Sequence, residues 1–362
     1  MSAATSPLRK LFASEDGSGR VIRKRFRILK RSGQHLLALP LASNEAVSAM
    51  RLYAPQRPMA RSACAVLRTL LRFGFPSPLR VEECLISPTD PFSQFLSSLG
   101  NSWTLSDSGL GVLFGNPRTV GRRFVLMLFE NGSPIAVVKA GIGSAAQSLV
   151  GAEAHFLQSA GSIGLPAPLA VLESERVHAF AILPLEGAAP RTASPRDVQR
   201  VLQPWLAVTA SIPLSDISGW AKVSAACADS PVWKKHCAGV SSRNICPAIV
   251  HGDFAPWNIK VHPCTGVWQV FDWERGQLCG VPAWDWFHFE LQTAILVDRE
   301  SLHALHMRIA GLFAAPEFHD YAARAGITGL ERALLAAYLL HCANVQPQTE
   351  GLAAIEALLQ SV

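Results

Sequence analysis

The stretch IVHGDFAPWNIK at residues 249–260, followed by VFDWE at residues 270–274, carries the strongest structural and chemical signal in this chain. Asp253 and Asn258 share one short polar loop, and a second carboxylate, Asp272, follows the next apolar segment. Residues 267–271 have the apolar character of a strand and come after a Pro-Cys-Thr-Gly turn. Two adjacent strand ends would therefore present all three polar side chains together.

These three side chains suit phosphoryl transfer, in which a protein mainly positions groups and neutralises charge. One carboxylate must orient the acceptor and take its proton, and Asp253 is the candidate for this base. Magnesium prefers oxygen ligands and keeps several waters, so one carboxylate and one amide oxygen suffice to hold it. Asp272 and Asn258 are the candidates for these ligands. The alternative is an Asx-rich surface loop followed by an unrelated strand.

The loop and the second carboxylate together resemble the motifs of the aminoglycoside phosphotransferase and choline kinase group. The match rests on His251-Gly252-Asp253, on Asn258 and on the Phe-Asp-Trp-Glu run that contains Asp272. The resemblance implies that Asp253 is the catalytic base and that Asn258 and Asp272 bind Mg²⁺. It also implies that ATP is the bound nucleotide, although GTP stays an alternative.

The same resemblance implies a fold and two supporting residues. The fold class is α+β, a two-lobed protein-kinase-like fold with an antiparallel-sheet N-lobe and a mainly helical C-lobe, and this chain adds an extra N-terminal region. His251 is expected to support the catalytic loop rather than to act as a base. Asp285, at a predicted helix start, is expected to brace that loop, and the alternative is a plain N-cap.

A kinase-like fold requires a strand lysine that meets the phosphates and a helix glutamate that holds this lysine. Residues 124–129 and 134–139 predict a hairpin around Asn131-Gly132, and Lys139 ends its second strand. Residues 145–157 have the apolar spacing of a helix and contain Glu153. We therefore predict that Lys139 and Glu153 serve nucleotide binding. A plain solvated lysine is the alternative for Lys139.

Two further nucleotide contacts are predicted with weaker sequence support. SGLGVLFG at residues 108–115 fits a glycine-rich loop, in which Gly109 and Gly111 would let backbone N–H groups approach phosphates. A plain hairpin turn is the alternative. Residues 183–187 are predicted to form the hinge, where backbone groups of Leu183 and Leu185 would bind the nucleotide base.

Length and composition limit the number of domains the chain can form and the compartment it suits. Its 362 residues, 49% of them hydrophobic, could hold more than one domain. We predict an accessory region of unknown role at residues 1–100, a nucleotide-binding N-lobe at 101–187 and a catalytic, acceptor-binding C-lobe at 188–362. The 8 cysteines are scattered and no apolar run of about eighteen residues occurs, which favours a cytoplasmic protein without a membrane span.

The net charge of +6 is concentrated in part at residues 20–31, which carry seven lysines and arginines. Their alternation with apolar residues predicts the solvated face of an edge strand. Nucleic-acid binding through this stretch is the alternative, and it is not expected because no aromatic side chains accompany the charges.

These patterns together predict a kinase that moves the γ-phosphoryl group of ATP to a hydroxyl of a small molecule. A sugar, an amino alcohol or an aminoglycoside-like compound stays open as the acceptor. The alternative is a non-catalytic nucleotide-binding module that acts as a sensor or scaffold. The motifs carry no information on the oligomeric state.

Overall fold

The computed structural model describes residues 7–12, 21–53, 58–75, 79–115, 123–161, 165–190, 192–207, 211–346 and 350–361. The chain divides into two compact units, Met1–Pro184 and Leu185–Val362. The division falls within the predicted hinge at residues 183–187. None of the helices in the described ranges is long and apolar enough to cross a membrane.

The first unit is built on one antiparallel sheet. Its strands in the described part are β1 (Ile22–Arg31), β2 (Gln34–Leu39), β3 (Arg80–Ile86), β4 (Gly109–Phe114), β5 (Arg123–Glu130), β6 (Ser133–Ile142), β7 (Ala170–Glu173) and β8 (Val177–Ile182). Their order across the sheet is β3-β1-β2-β4-β5-β6-β8-β7. Strands β1–β3, from the predicted accessory region, thus continue the sheet of residues 101–184.

Helices cover both faces of this sheet. They are α1 (Pro7–Leu11), α2 (Ser43–Ala49), α3 (Pro58–Arg72), α4 (Pro91–Ser97) and α5 (Ser144–Ala160). Because side chains alternate between the faces of a strand, Val138 and Ala140 belong to the core on one face, and Lys139 points to the other. Helix α5 lies close to the strand end on that second face, where a Cβ at Gly141 would meet the carbonyl of Ala146.

Local turn chemistry produces the hairpin that carries this lysine. Strands β5 and β6 pair antiparallel, and Val125 lies opposite Lys139. Asn131 and Gly132 both have positive φ, 51° and 79°, as the favoured two-residue hairpin turns require. The predicted hairpin is confirmed, but Lys139 does not end its second strand, because β6 continues to Ile142.

Residues 22–31 of the basic stretch form strand β1, and the prediction that this strand lies at the edge of the sheet is wrong. Strand β3, not β1, lies at the sheet edge, because residues 80–86 pair along the outer side of β1. This pairing sets acidic side chains of β3 against the basic strand: Lys30 Nζ lies 2.9 Å from Glu82, and Arg23 lies 3.9 Å from Glu83. Arg20 lies outside the described residues.

The second unit is mainly helical. Its described helices are α6 (Pro195–Leu202), α7 (Ser218–Cys227), α8 (Pro231–His236), α9 (Trp284–Gln292), α10 (Leu302–Ala314), α11 (Pro316–Ala325), α12 (Glu331–Leu340) and α13 (Leu352–Ser361). The short strands in its described residues form three two-stranded pairs: β9 (Ile212–Pro213) with β10 (Asn244–Ile245), β11 (Ala248–Val250) with β14 (Gln277–Gly280), and β12 (Ile259–Val261) with β13 (Trp268–Val270). The predicted α+β fold, an antiparallel-sheet unit followed by a mainly helical unit, is confirmed.

Helices α9 and α12 form the buried centre of the second unit. In α12 every residue from Ala333 to Leu340 is buried, and α9 buries nearly its whole length. Trp286 of α9 packs edge-on against Phe318 and Tyr321 of α11, with ring centroids 5.2 and 5.4 Å away. Since such close packing leaves little room for movement, polar side chains on α9 and α12 have fixed positions.

Candidate active site

The second unit brings the predicted base and metal ligands to one end of a short hairpin. Strand β12 pairs antiparallel with β13, so Ile259 lies opposite Val270. Just beyond that pair, the backbone N–H of Phe271 donates to the carbonyl of Asn258 at 3.0 Å. Asp272, the next residue, therefore follows the strand end beside Asn258, as the spacing of the motif predicts.

Asp253 lies in the loop between β11 and β12, and both of its carboxylate oxygens accept hydrogen bonds. Asn258 Nδ2 donates to Oδ2 at 2.9 Å, and His288 Nε2 lies 3.0 Å from Oδ1. Burial raises the pKa of Asp253, but the hydrogen bond from His288 and the charge of Arg275 lower it by more than burial raises it. The pKa therefore lies below its ordinary value, and Asp253 is an ionised carboxylate at neutral pH.

Asp285 braces the loop that carries Asp253. Its Oδ2 accepts the backbone N–H of His251 at 2.6 Å, and its Oδ1 accepts that of Gly252 at 2.9 Å. Asp285 lies in the first turn of α9, whose N-cap is Ala283, so it is not itself the N-cap. Loss of this carboxylate would leave two loop N–H groups without their acceptor, and an unsatisfied buried donor costs about 1–3 kcal/mol.

His251 connects the loop to the strand that precedes Asp272. Its Nε2 donates to the carbonyl of Phe271 at 2.9 Å, and its Nδ1 accepts the backbone N–H of Asp253 at 3.1 Å. Burial lowers the pKa of His251 more than the neighbouring carboxylates raise it. A neutral ring satisfies both bonds at once, and this arrangement suits a structural role.

Gly252 allows the loop to turn tightly beside the strand end. Its φ is 78°, a backbone conformation that favours glycine, and a Cβ there would lie 2.9 Å from the Cβ of Arg275. Asp272 also has a positive φ, 73°, which is unusual for a residue with a side chain. Backbone strain of this kind occurs often at functional sites.

Asn258 and Asp272 fit a magnesium ion that binds with a nucleotide. The amide nitrogen of Asn258 donates to Asp253, so its amide oxygen is the atom it can offer to a cation. Within the described residues, no group of three His, Cys, Asp or Glu side chains could hold a metal. Mg²⁺ does not require such a group, because waters and substrate phosphates complete its coordination.

The first unit contains the predicted lysine–glutamate pair. Lys139 Nζ lies 2.5 Å from Glu153 Oε2, which joins strand β6 to helix α5. Glu153 is only 3% exposed, so this ion pair is largely shielded from water. Its geometry suits a lysine whose ammonium group must be held in one position.

Gly109 and Gly111 do not lie in a loop, so the predicted placement of the glycine-rich loop is wrong. Both residues are buried within strand β4. A Cβ at Gly109 would overlap the carboxylate of Glu45, and one at Gly111 would lie 2.5 Å from the Cβ of Ala49. These glycines therefore allow helix α2 to approach the strand closely. Strands β4 and β5 pair antiparallel, and residues 116–122 between them lie outside the described ranges.

Gly111→Ala is expected to destabilise the protein by about 1–3 kcal/mol, because the added methyl group overpacks the contact with α2. Thermal unfolding followed by circular dichroism measures this effect. Gly239→Ala is the control, since a Cβ at Gly239 meets no atom within 4 Å. Weaker nucleotide binding without any fall in Tm would instead place Gly111 at the nucleotide.

The predicted hinge residues flank the division between the two units. Leu183 is 60% exposed. The carbonyl of Leu185 accepts a hydrogen bond from Lys260 Nζ at 2.9 Å. Binding of the nucleotide base by this backbone stays a prediction.

His288 and Tyr338 are site residues that the sequence reasoning missed. His288 lies three residues after Asp285 on α9, so both side chains share the helix face that meets the loop. That spacing is the signal that could have identified His288. Tyr338 comes from α12, and no local pattern links it to the motif.

Comparison with known proteins finds similarity at the level of structure. Neither a family model nor a curated protein matches the chain. Macrolide 2'-phosphotransferase MphH from Brachybacterium faecium aligns with 69% of this chain and 91% of its own, at 13% identity and a TM-score of 0.41. An aminoglycoside phosphotransferase from Streptomyces rimosus, solved with ADP and streptomycin, aligns with 60% of this chain and 88% of its own, at 16% identity and a TM-score of 0.38.

A third solved structure, the streptomycin–ATP–APH(2")-IIa ternary complex, aligns with 76% of this chain and 96% of its own. The identity is 12% and the TM-score is 0.42. All three solved structures are phosphotransferases, and each aligns with this chain at low identity and with a TM-score below 0.5.

Proposed function

We propose that this chain is a phosphotransferase of the aminoglycoside phosphotransferase-like group, which moves the γ-phosphoryl group of ATP to a hydroxyl of a small molecule. The observation that carries this proposal is the braced loop of the second unit. It holds an ionised Asp253 next to Asn258, and the strand that precedes Asp272 is hydrogen-bonded to Asn258. The Lys139–Glu153 ion pair of the first unit supports the same reading.

In the proposed reaction, the acceptor oxygen forms a bond to the γ-phosphorus and the bond from this phosphorus to the oxygen of ADP breaks. Asp253 orients the hydroxyl and takes its proton, as the carboxylate of a kinase catalytic loop does. Asn258 and Asp272 would hold Mg²⁺, which when bound neutralises charge on the phosphates. Lys139, held by Glu153, would bind the nucleotide phosphates as a fixed cation.

Transfer of the γ-phosphoryl group to a hydroxyl is tested with a panel of compounds that carry hydroxyl groups. The full chain is incubated with Mg²⁺-ATP and a panel of sugars, amino alcohols, aminoglycosides and macrolides, and ADP release is measured. We expect at least one hydroxyl compound to accelerate ADP release in a magnesium-dependent manner. Mass spectrometry of the product should show one added phosphoryl group.

Two controls make the result decisive. A compound that lacks the accepting hydroxyl but is otherwise identical should not accelerate ADP release. Chelation of Mg²⁺ with EDTA should abolish transfer, and added Mg²⁺ should restore it. If the protein binds Mg²⁺-ATP but no compound accelerates ADP release, the non-catalytic nucleotide-binding module is the better account.

A further inference from the structure

Asp253 is one end of a chain of hydrogen bonds that continues into the helical core. His288 Nε2 lies 3.0 Å from Asp253 Oδ1, and the hydroxyl of Tyr338 lies 2.9 Å from His288 Nδ1. We propose that His288, fixed by Tyr338, is a positioning residue that holds the Asp253 carboxylate in the orientation required to take the acceptor's proton. This inference rests on the proposed function.

The chemistry of the three groups determines where the hydrogens lie. An ionised carboxylate only accepts hydrogen bonds, so His288 Nε2 must carry the hydrogen that it donates to Asp253. In a neutral ring Nδ1 is then an acceptor, and the Tyr338 hydroxyl donates to it. Burial raises the pKa of Tyr338 well above its ordinary value, which keeps this hydroxyl protonated. The His288 ring thus links the Tyr338 hydroxyl to the Asp253 carboxylate.

Burial gives this chain a fixed geometry. His288 is 6% exposed and Tyr338 is 3% exposed. The ring of Tyr338 packs against Trp284 and Phe287, with centroids 6.3 and 6.1 Å away. Because α9 and α12 are buried along this contact, neither ring can turn without disturbing the core. Helices α9 and α12 therefore give rigid support to the side chain of Asp253, which lies in a loop.

Among the described residues, the hydrogen-bond partners given for the His288 ring are Asp253 and Tyr338. His341, at the end of α12, packs against Trp284 at 4.7 Å, and burial lowers the pKa of His341 to about 4. It is therefore uncharged at neutral pH. Asp285, on the same helix as His288, accepts the N–H groups of His251 and Gly252. Asp253 is thus the carboxylate that His288 contacts.

His288 and Asn258 each contact a different oxygen of the Asp253 carboxylate. Asn258 Nδ2 contacts Oδ2 and His288 contacts Oδ1, so both oxygens have a donor and rotation of the carboxylate is restricted. Without His288, the side-chain donor left to this carboxylate among the described contacts would be Asn258, which is also a proposed metal ligand. A misplacement of about 1 Å in a reacting group can lower the rate about 10²-fold.

Three variants of the full chain test this role, with Mg²⁺-ATP and the acceptor that gives the fastest turnover in the panel. His288→Leu is expected to lower kcat about 10²-fold because the carboxylate is no longer held. His288→Gln keeps a side-chain N–H that can reach Oδ1, so it should restore most of the lost rate. The KM for ATP should not change in either variant. His303→Leu, on the exposed part of α10, is the control.

Tyr338→Phe removes one oxygen and keeps the ring, so a folded variant is expected. It should lower kcat in the wild-type background and have no further effect in His288→Leu, since residues in one hydrogen-bond chain act non-additively. The imidazole ¹⁵N signals of His288, assigned by their loss in His288→Gln, should show hydrogen on Nε2 and should shift in Tyr338→Phe.

The outcomes separate this inference from the proposed function. If wild type phosphorylates an acceptor but His288→Leu retains its kcat, His288 has no positioning role and the phosphotransferase function stands. Absence of hydrogen from Nε2 of His288, or equal rate losses in His288→Gln and His288→Leu, would also overturn the positioning role. If wild type phosphorylates no acceptor, the proposed function fails and this inference fails with it.

Discussion

Asp253→Asn is expected to lower kcat by about 10²- to 10⁴-fold, the usual contribution of a positioned general base. Asparagine has nearly the size of aspartate and can still accept a hydrogen bond from His288, but it cannot take a proton from the acceptor hydroxyl. The binding of Mg²⁺-ATP should be nearly unchanged, because the proposed metal ligands are Asn258 and Asp272. Coupled ADP release measures kcat, and titration calorimetry measures nucleotide binding.

Asp229→Asn is the matched control for this variant. Asp229 is also in the second unit, but its side chain is fully exposed and pairs only with Lys234 at 3.2 Å among the contacts described. Exposed ion pairs of this kind contribute little to stability, so its kcat should equal that of wild type. Equal turnover in Asp253→Asn and wild type would show that Asp253 is not the base. Loss of nucleotide binding would instead assign Asp253 to the metal.

Lys139→Met is expected to lower kcat/KM by about 10²- to 10³-fold, which is typical when one fixed electrostatic contact to the reacting group is removed. Methionine keeps much of the aliphatic length of lysine and removes the charge that would meet the phosphates. The variant also removes the ammonium group that forms an ion pair with the buried Glu153. Breaking a buried pair from one side costs about 3–5 kcal/mol, so the assay requires a temperature at which circular dichroism shows a folded protein.

A double-mutant cycle with Glu153→Gln separates these two effects. Glu153→Gln leaves Lys139 charged but no longer held by a carboxylate, so kcat/KM should fall by less than in Lys139→Met. The double variant should be as inactive as Lys139→Met but more stable, because it leaves no unpaired buried charge. Lys234→Met, which removes an exposed lysine, is the control. Full activity of Lys139→Met would show that the pair is only structural.

Much of the fold follows from short-range patterns in the chain. Asn131-Gly132 between two apolar runs predicts a hairpin, because both residues tolerate the positive φ of its turn. The helical spacing at residues 145–157 predicts most of α5, and with it the position of Glu153. The polar loop at residues 251–258 lies between two strands, β11 and β12, as the short apolar segments on both sides of it predict.

Glycine positions illustrate why part of the site could not be predicted. A glycine in the sequence indicates that a side chain is excluded, but not which group excludes it. At Gly111 that group is Ala49 of helix α2, which is distant in sequence. A glycine in a phosphate-binding loop has the same sequence signal. The location of β1 inside the sheet was missed for a related reason, because its outer partner β3 lies about fifty residues downstream.

The sequence by itself determined the positions of Asp253, Asn258 and Asp272 relative to the strand ends, because loop length and apolar alternation act over a few residues. The α+β class was implied by the resemblance of these motifs to the aminoglycoside phosphotransferase and choline kinase group. Only the tertiary structure decided that Asp285 accepts two N–H groups of the loop. It alone also decided that hydrogen bonds through His288 and Tyr338 connect the Asp253 carboxylate to the buried helices. Those contacts join α9, α12 and the loop after β11. They depend on how buried helices pack, and packing depends on side chains that the local sequence does not bring together.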